Sequence, residues 1–279
     1  GYGPVTSPSL FAMGCRIFLL LGALSALVWV PLWMAVYAFG VTLPAGVQPM
    51  QWHAHEMLFG FVAAIMAGFL LTAPGTWTGR PMPKGATLGG LALLWLAGRV
   101  LPFFPGFVPG WLLLMVDATF LPTVGWLVFR ALRGLPGQRH NLIFPILLAV
   151  MTTANVLAHL QIRNRWGVAV GTEVMLYLVL TLISLLGGRV IPGFTQGQFP
   201  NGSTRVHPVL DRWGVGLLLG LMVVDVGGAP PGWVAGISLL AAVVHAARLS
   251  GWFTREVLGV PLLWVLHLGY GWMIVGLMM

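Results

Sequence analysis

Two histidines and a glutamate open a hydrophobic run at Gln51-Trp52-His53-Ala54-His55-Glu56-Met57-Leu58-Phe59-Gly60, and the run closes on Thr72-Ala73-Pro74-Gly75-Thr76-Trp77-Thr78-Gly79-Arg80. Imidazole and carboxylate groups ligate borderline transition metals and also carry protons. More ionisable residues interrupt otherwise apolar stretches: Asp117, His159, Glu173, Asp225, His245 and His267, with Arg80, Arg189 and Arg248 towards the stretch ends. Inside a bilayer each such group costs about 2.5–3.5 kcal/mol on insertion scales, which makes every one a candidate functional residue. The single cysteine, Cys15, excludes an intramolecular disulfide and any Cys-rich zinc or iron–sulfur site. A metal in this chain would be held by imidazole, carboxylate or thioether.

Spacing restricts the roles. On a regular α-helix His53 and His55 point about 200° apart. Either His53 belongs to the preceding loop or the two serve different sites. Asn155 and His159 are i,i+4 neighbours, which suits an amide that orients an imidazole. His245 and Arg248 are i,i+3, as are Trp264 and His267. Haem takes an axial histidine in a dry pocket, whereas copper takes two or three imidazoles, and these histidines suit either. Structural roles stand beside the functional ones. His53 can be an interfacial polar residue, and His267 a helix–helix hydrogen-bonding group. Asp117 and Asp225 can pair with arginine or bond a backbone group. Arg80 and Arg189 can anchor at headgroup level or hold an anion. His140 and His207 fall in connections and read as solvated. Gly-x-Ser-x-Gly, Walker A and Cys-x-x-Cys motifs are absent, and His-x-His-Glu lacks the second histidine of His-Glu-x-x-His.

The elements that must position these groups are membrane helices. The chain of 279 residues is 58% hydrophobic and 7% charged, with a mean hydropathy of +0.92, whereas soluble domains carry about 25% charged residues. The fold class is therefore all-α, a polytopic transmembrane helical bundle forming a single domain over residues 1–279. About nine spans are predicted: Ile17–Phe39 with Pro31 as a kink, His53–Ala73 closed by Pro74-Gly75, Ala86–Leu101, Phe107–Phe129, Asn141–Ile162, Val168–Ile191 ended by Pro192, Trp213–Val226, Trp233–Leu249 and Gly259–Leu277.

With a cytoplasmic N-terminus, Arg16, Arg80, Lys84, Arg130, Arg133, Arg139, Arg189, Arg205, Arg212, Arg248 and Arg255 fall inside. Arg99, Arg163 and Arg165 fall outside, as the positive-inside rule asks. The net charge of +8 is spread singly through the connections, so no nucleic-acid surface is read from it. No basic n-region precedes the first apolar run, which argues against a cleavable signal peptide.

These motifs resemble a known family. Trp52-His53-Ala54-His55-Glu56-Met57-Leu58-Phe59-Gly60, Gly68-Phe69-Leu70-Leu71-Thr72-Ala73 and Trp77-Thr78-Gly79-Arg80 look like the NnrS family. So do Gly187-Gly188-Arg189-Val190-Ile191-Pro192-Gly193-Phe194-Thr195, His245-Ala246-Ala247-Arg248-Leu249 and Pro261-Leu262-Leu263-Trp264-Val265-Leu266-His267-Leu268-Gly269-Tyr270. Phe11-Ala12-Met13-Gly14-Cys15-Arg16 is similar to the family's opening, with Cys15 and Ile17 departing from its Phe and Pro.

The resemblance implies a multi-pass protein of the bacterial inner membrane that contains haem and copper, is linked to nitric oxide and nitrosative stress, and accompanies denitrification. The family has about twelve spans, so the last three lack a counterpart here. The resemblance points to His53, His55, His159, His245 and His267 for metal, and to Glu56, Arg80, Arg189 and Arg248 for cofactor binding, with the arginines suited to haem propionates. In that reading His55, His159 and His267 approach a metal centre, and Glu56 orients an imidazole or relays protons. Partners would be the lipid bilayer, nitric oxide and other membrane subunits. Two readings of another class remain: a proton-coupled transporter, and a structural or assembly subunit whose metals are lost.

Overall fold

The computed structural model describes residues 9–44, 47–104, 106–160, 169–200, 202 and 204–279. Among them the long elements are helical and there is no β-strand. Eight helices are long and apolar enough to cross a membrane: residues 14–39, 49–78, 86–103, 110–132, 136–159, 170–198, 231–252 and 261–278. Helices satisfy their own backbone groups, which is why apolar sequences of this length adopt them. The predicted seventh span is also a helix, Pro208–Val226. Asp211, Arg212 and Asp225 lie within it, so it carries more charge than the eight. Arg163, Arg165 and the predicted boundaries at Ile162 and Val168 lie outside the described residues.

The chain divides into two compact units, residues 1–163 with 167–175, and residues 164–166 with 176–279. In the first, α1 (Gly14–Phe39) packs on α3 (Ala63–Leu70), which is reached through α2 (Pro49–His55) and a π-helical turn (Glu56–Val62). Small residues permit the close approach: a Cβ on Gly14 would lie 2.6 Å from Leu71 Cβ. Then come α4 (Ala73–Thr78), α5 (Ala86–Val100), α6 (Gly110–Leu132) and α7 (Ile143–His159), with α6 packed on α5 and α7. Phe18, Val124, Phe144 and Met151 are fully buried in this core.

Pro74 does not close the second span. It sits in the first turn of α4, where its missing N–H has no helical partner to lose, and the run continues to Thr78. Gly79, at φ 69°, then ends α4 in the left-handed conformation.

The second unit contains most of α8 (Val170–Gln198), then α9 (Pro208–Val226), α10 (Pro231–Trp252) and α11 (Pro261–Met278). Its core joins Ile191, Leu218, Leu221, Ala241, Trp252 and Tyr270. The helix does not stop at Pro192 as the sequence suggested, but runs through it to Gln198. Membrane helices tolerate an interior proline where neighbouring groups absorb the lost bond. Three residues on, the Thr195 hydroxyl donates to the Ile191 carbonyl at 2.8 Å.

Within the first unit α7 meets the start of α8 at Gly171, where a Cβ would lie 2.0 Å from the Ala154 carbonyl oxygen and 2.3 Å from Ala158 N. Backbone atoms cannot step aside as a side chain can. Gly171→Ala is expected to lower stability by about 1–3 kcal/mol, as overpacking does. Gly90→Ala, which meets nothing within 4 Å, should not lower the thermal unfolding temperature in detergent.

Candidate metal centre

The π turn sets up the site. α2 ends at His55, and the wider turn begins at Glu56, which is 1% exposed. π turns are rare and concentrate at functional positions. Here the Trp95 indole N–H donates to the Gly60 carbonyl at 3.1 Å, so α5 takes up a backbone acceptor within the turn.

Around it, helices of the first unit bring charge together inside an apolar bundle. Arg99 on α5 is hydrogen-bonded and ion-paired to Asp117 Oδ1 on α6. Its Nε lies 3.2 Å from Glu56 Oε2, a charge contact without hydrogen-bond alignment. The other Asp117 oxygen, Oδ2, is the hub: His159 Nε2 at 2.9 Å, Asn155 Nδ2 at 3.0 Å and His55 Nε2 at 3.2 Å. His55 Nε2 is also 3.0 Å from Asn155 Oδ1, and its Nδ1 is 3.6 Å from Glu56 Oε1. Two glycines make the room. A Cβ on Gly98 would fall 2.7 Å from Asp117 Oδ1, and one on Gly60 3.0 Å from both Arg99 Nη1 and Glu56 Oε2.

Charge and donor type say what this arrangement can do. Two carboxylates face one guanidinium, so with neutral imidazoles the cluster keeps one negative charge. That charge calls for a proton or a metal cation in a medium that solvates neither. One ligand atom each from His55, Asp117 and His159 lie within 4.8 Å of one another. Two imidazoles and a carboxylate are a donor set for borderline first-row metals. Carboxylate and amide oxygens only accept from a ring N–H. His55 and His159 therefore carry their Nε2 protons in this arrangement, and a metal would take the place of those protons. A cleft of about 150 Å³, lined in part by Gln51, Trp52, His55, Glu56 and His159, opens onto the cluster.

The same logic separates two histidines of the second unit. His267 Nδ1 donates to the Leu263 carbonyl at 2.9 Å, leaving a lone pair on Nε2, which is buried without a partner. A ring held by a backbone carbonyl with its far nitrogen bare is how metal-bound histidines are oriented. His245 Nδ1 lies 3.1 Å from Arg248 Nη1 and 2.8 Å from the Tyr270 hydroxyl. A guanidinium only donates, so Nδ1 accepts and Nε2 carries the proton.

Arg248 itself is engaged throughout, donating to Asp211 Oδ1 at 2.8 Å, Ser184 Oγ at 2.6 Å, the Ser184 carbonyl at 3.0 Å and Tyr270 at 2.6 Å. The Gly187-Gly188 pair serves this network. A Cβ on Gly188 would lie 2.3 Å from Arg248 Nη2, and one on Gly187 2.8 Å from the Tyr270 ring.

Residues 9–279 match the family described as NnrS protein. The chain belongs to the NnrS family. No curated protein and no solved structure matches it. In this NnrS chain the sequence-derived site residues separate into groups. His55, Glu56 and His159 come together in the first unit. His53 stands apart from them, stacked on Trp33 with ring centroids 4.3 Å apart and planes 8° from parallel. Arg80 donates through Nη1 to the carbonyls of Arg130, Ala131 and Arg133 at the end of α6. His245, Arg248 and His267 belong to the second unit, as does Arg189, which is exposed on α8. Asp225 accepts from the Tyr177 hydroxyl at 2.6 Å, and Glu173 stands in the first turn of α8.

Asn155 departs from expectation. It shares a face with His159, yet its amide bonds His55 and Asp117. In the sequence, Arg99 counts only as a charge in the orientation argument. The signal for it was available, because charged residues at membrane depth pair with one another. Asp117→Ala, which strands Arg99, is expected to lower the unfolding free energy by about 3–5 kcal/mol. His53→Ala, which loses a ring stack, should cost about 0.5–1.5 kcal/mol. Denaturant unfolding in detergent measures both.

Proposed function

We propose that this NnrS-family chain is a haem- and copper-binding protein of the bacterial inner membrane that acts in the response to nitric oxide and nitrosative stress. The observation that carries this reading is the convergence of His55, Asp117 and His159 within 4.8 Å, in a cluster where two carboxylates face one arginine. The donors would suit copper, and His267, through its bare Nε2, would be the residue to hold haem iron. When bound, either metal would supply a coordination position for a small diatomic ligand.

The chain's own residues do the rest. His55 and His159 would hold the cation through Nε2, each ring's proton shifting to Nδ1, which on His55 faces Glu56. Asp117 supplies the third ligand and the charge, and Asn155 fixes Asp117 against His55. Arg99 neutralises the charge beyond the cation's share, and the cleft beside Gln51 and Trp52 admits a small molecule. Glu56, 3.6 Å from His55 Nδ1, orients that ring or takes its proton.

The same chain of hydrogen bonds from His159 through Asp117 to His55 favours a second reading, proton-coupled transport, in which a proton supplies the missing charge. Elemental analysis and the reduced-minus-oxidised spectrum of the purified chain separate the two. The first reading expects stoichiometric copper that falls to background in His159→Ala. It also expects a Soret band that responds to nitric oxide and is lost in His267→Ala. Copper should be released as the medium is acidified, because the imidazoles must stay deprotonated to bind it. A chain that purifies with neither metal, yet takes up protons with a solute in liposomes, would establish the second.

A further inference from the structure

One end of the first unit carries a second polar feature that the metal cluster does not use. The Thr78-Gly79-Arg80 corner turns back after α4, and Arg80 reaches the last carbonyls of α6 through one nitrogen, Nη1. The corner itself is fixed. The Thr78 hydroxyl donates to the Pro74 carbonyl at 2.7 Å and accepts from the Arg80 N–H at 3.1 Å. Between this corner and the end of α6 lies a cleft of about 460 Å³, lined by Arg80, Met82, Pro83, Thr87, Leu127 and Arg130, among others. Arg80 is half-buried and Arg130 exposed. Lys84, Arg133 and Arg139, in the connections at this end, are exposed as well.

Negative charge is missing here. Between Arg80 and Arg139 the only carboxylate is Asp117, which is mid-helix and already bonded to Arg99. The neighbouring surface of α6 is apolar and aromatic. Trp126 is 54% exposed and its ring lies 5.8 Å from that of Phe129. α6 crosses the membrane, so its end sits at headgroup depth. Basic clefts with aromatic flanks at that depth suit lipid phosphates and acyl chains together.

We propose that this cleft is a binding site for an anionic phospholipid. The phosphodiester lies between the guanidinium groups of Arg80 and Arg130, with the Thr87 hydroxyl available to it, and an acyl chain lies along Leu127 and Trp126. The arginines supply the fixed positive charge, and the bilayer supplies the carboxylate-free end with its counter-ion. The site is independent of the metal reading and stands whichever cation the buried cluster holds.

The test uses the full chain purified in detergent and delipidated. Retention of dioleoylphosphatidylglycerol is compared with that of dioleoylphosphatidylcholine by native mass spectrometry, with inorganic phosphate as competitor. Phosphatidylglycerol should be retained preferentially, and its binding should weaken as salt rises. The Arg80→Gln/Arg130→Gln pair should lower its retention by about thirtyfold, in keeping with two cationic contacts removed. Arg130→Gln alone keeps the Arg80 bonds to the α6 carbonyls, so a partial loss there shows that the effect is not misfolding. Equal retention of the two lipids overturns the proposal. So does unchanged retention in Arg130→Gln and the double variant. Displacement by phosphate at equal concentration would make the site one for a free anion. Loss of haem absorbance from the variants with lipid retention intact would assign the arginines to propionates instead.

Discussion

Asp117 carries a negative charge on a membrane-crossing helix, and much of the first unit is arranged to make that tolerable. Arg99 arrives from α5 and is itself 2% exposed, so neither partner can turn to water. A pair of this kind gains little over apolar residues of the same shape, yet removing one partner is severe. Once the pair exists, everything around it is constrained. Gly98 must lack a side chain, Asn155 must present its amide, and both histidines must hand their protons to one carboxylate oxygen. Glu56 adds a second carboxylate that Arg99 cannot also neutralise in full. The leftover charge gives the cluster a reason to hold a cation.

The partners of each histidine fix its chemistry more firmly than its position along a helix does. His267 and His245 are both buried. One faces a carbonyl, which can only accept, and so keeps a lone pair on its far nitrogen. The other faces a guanidinium, which can only donate, and so keeps a proton there. His55 and His159 form a third class, protonated towards a carboxylate that would itself become a ligand. Metal binding at that place would require each ring's proton to shift to Nδ1, whereas on His267 Nε2 is already free of one.

Much of the architecture was legible in the sequence because bilayer thickness and backbone satisfaction leave few options. Helices stand at all nine predicted segments, and the family resemblance carried through residues 9–279. Proline misled twice for one reason. Pro74 and Pro192 read as stops, but one occupies a first turn and the other an interior turn whose neighbours tolerate it. Within the site, His55 with Glu56 was readable from the opening motif, as was the divergence of His53. An arginine partner for Asp117 was readable from its depth, but not that it is Arg99, nor that Asp117 is the hub, since nothing local ties positions 18 residues apart on different helices. The pairing of Asn155 with His55 lies 100 residues across the chain, beyond any i,i+4 argument.

The π turn at Glu56–Val62 has a consequence for how such a protein can change. A π turn amounts to one extra residue absorbed in a helix without breaking it. Below it, α3 presents its small face to α1; above it, α2 presents His55 to the carboxylate. Because the bulge decouples the two registers, substitutions in one half need not rotate the other. Length is far less forgiving than composition. Excising a single residue would restore a regular helix and swing the histidine by about 100°, so the segment can drift in sequence while its count of residues stays locked.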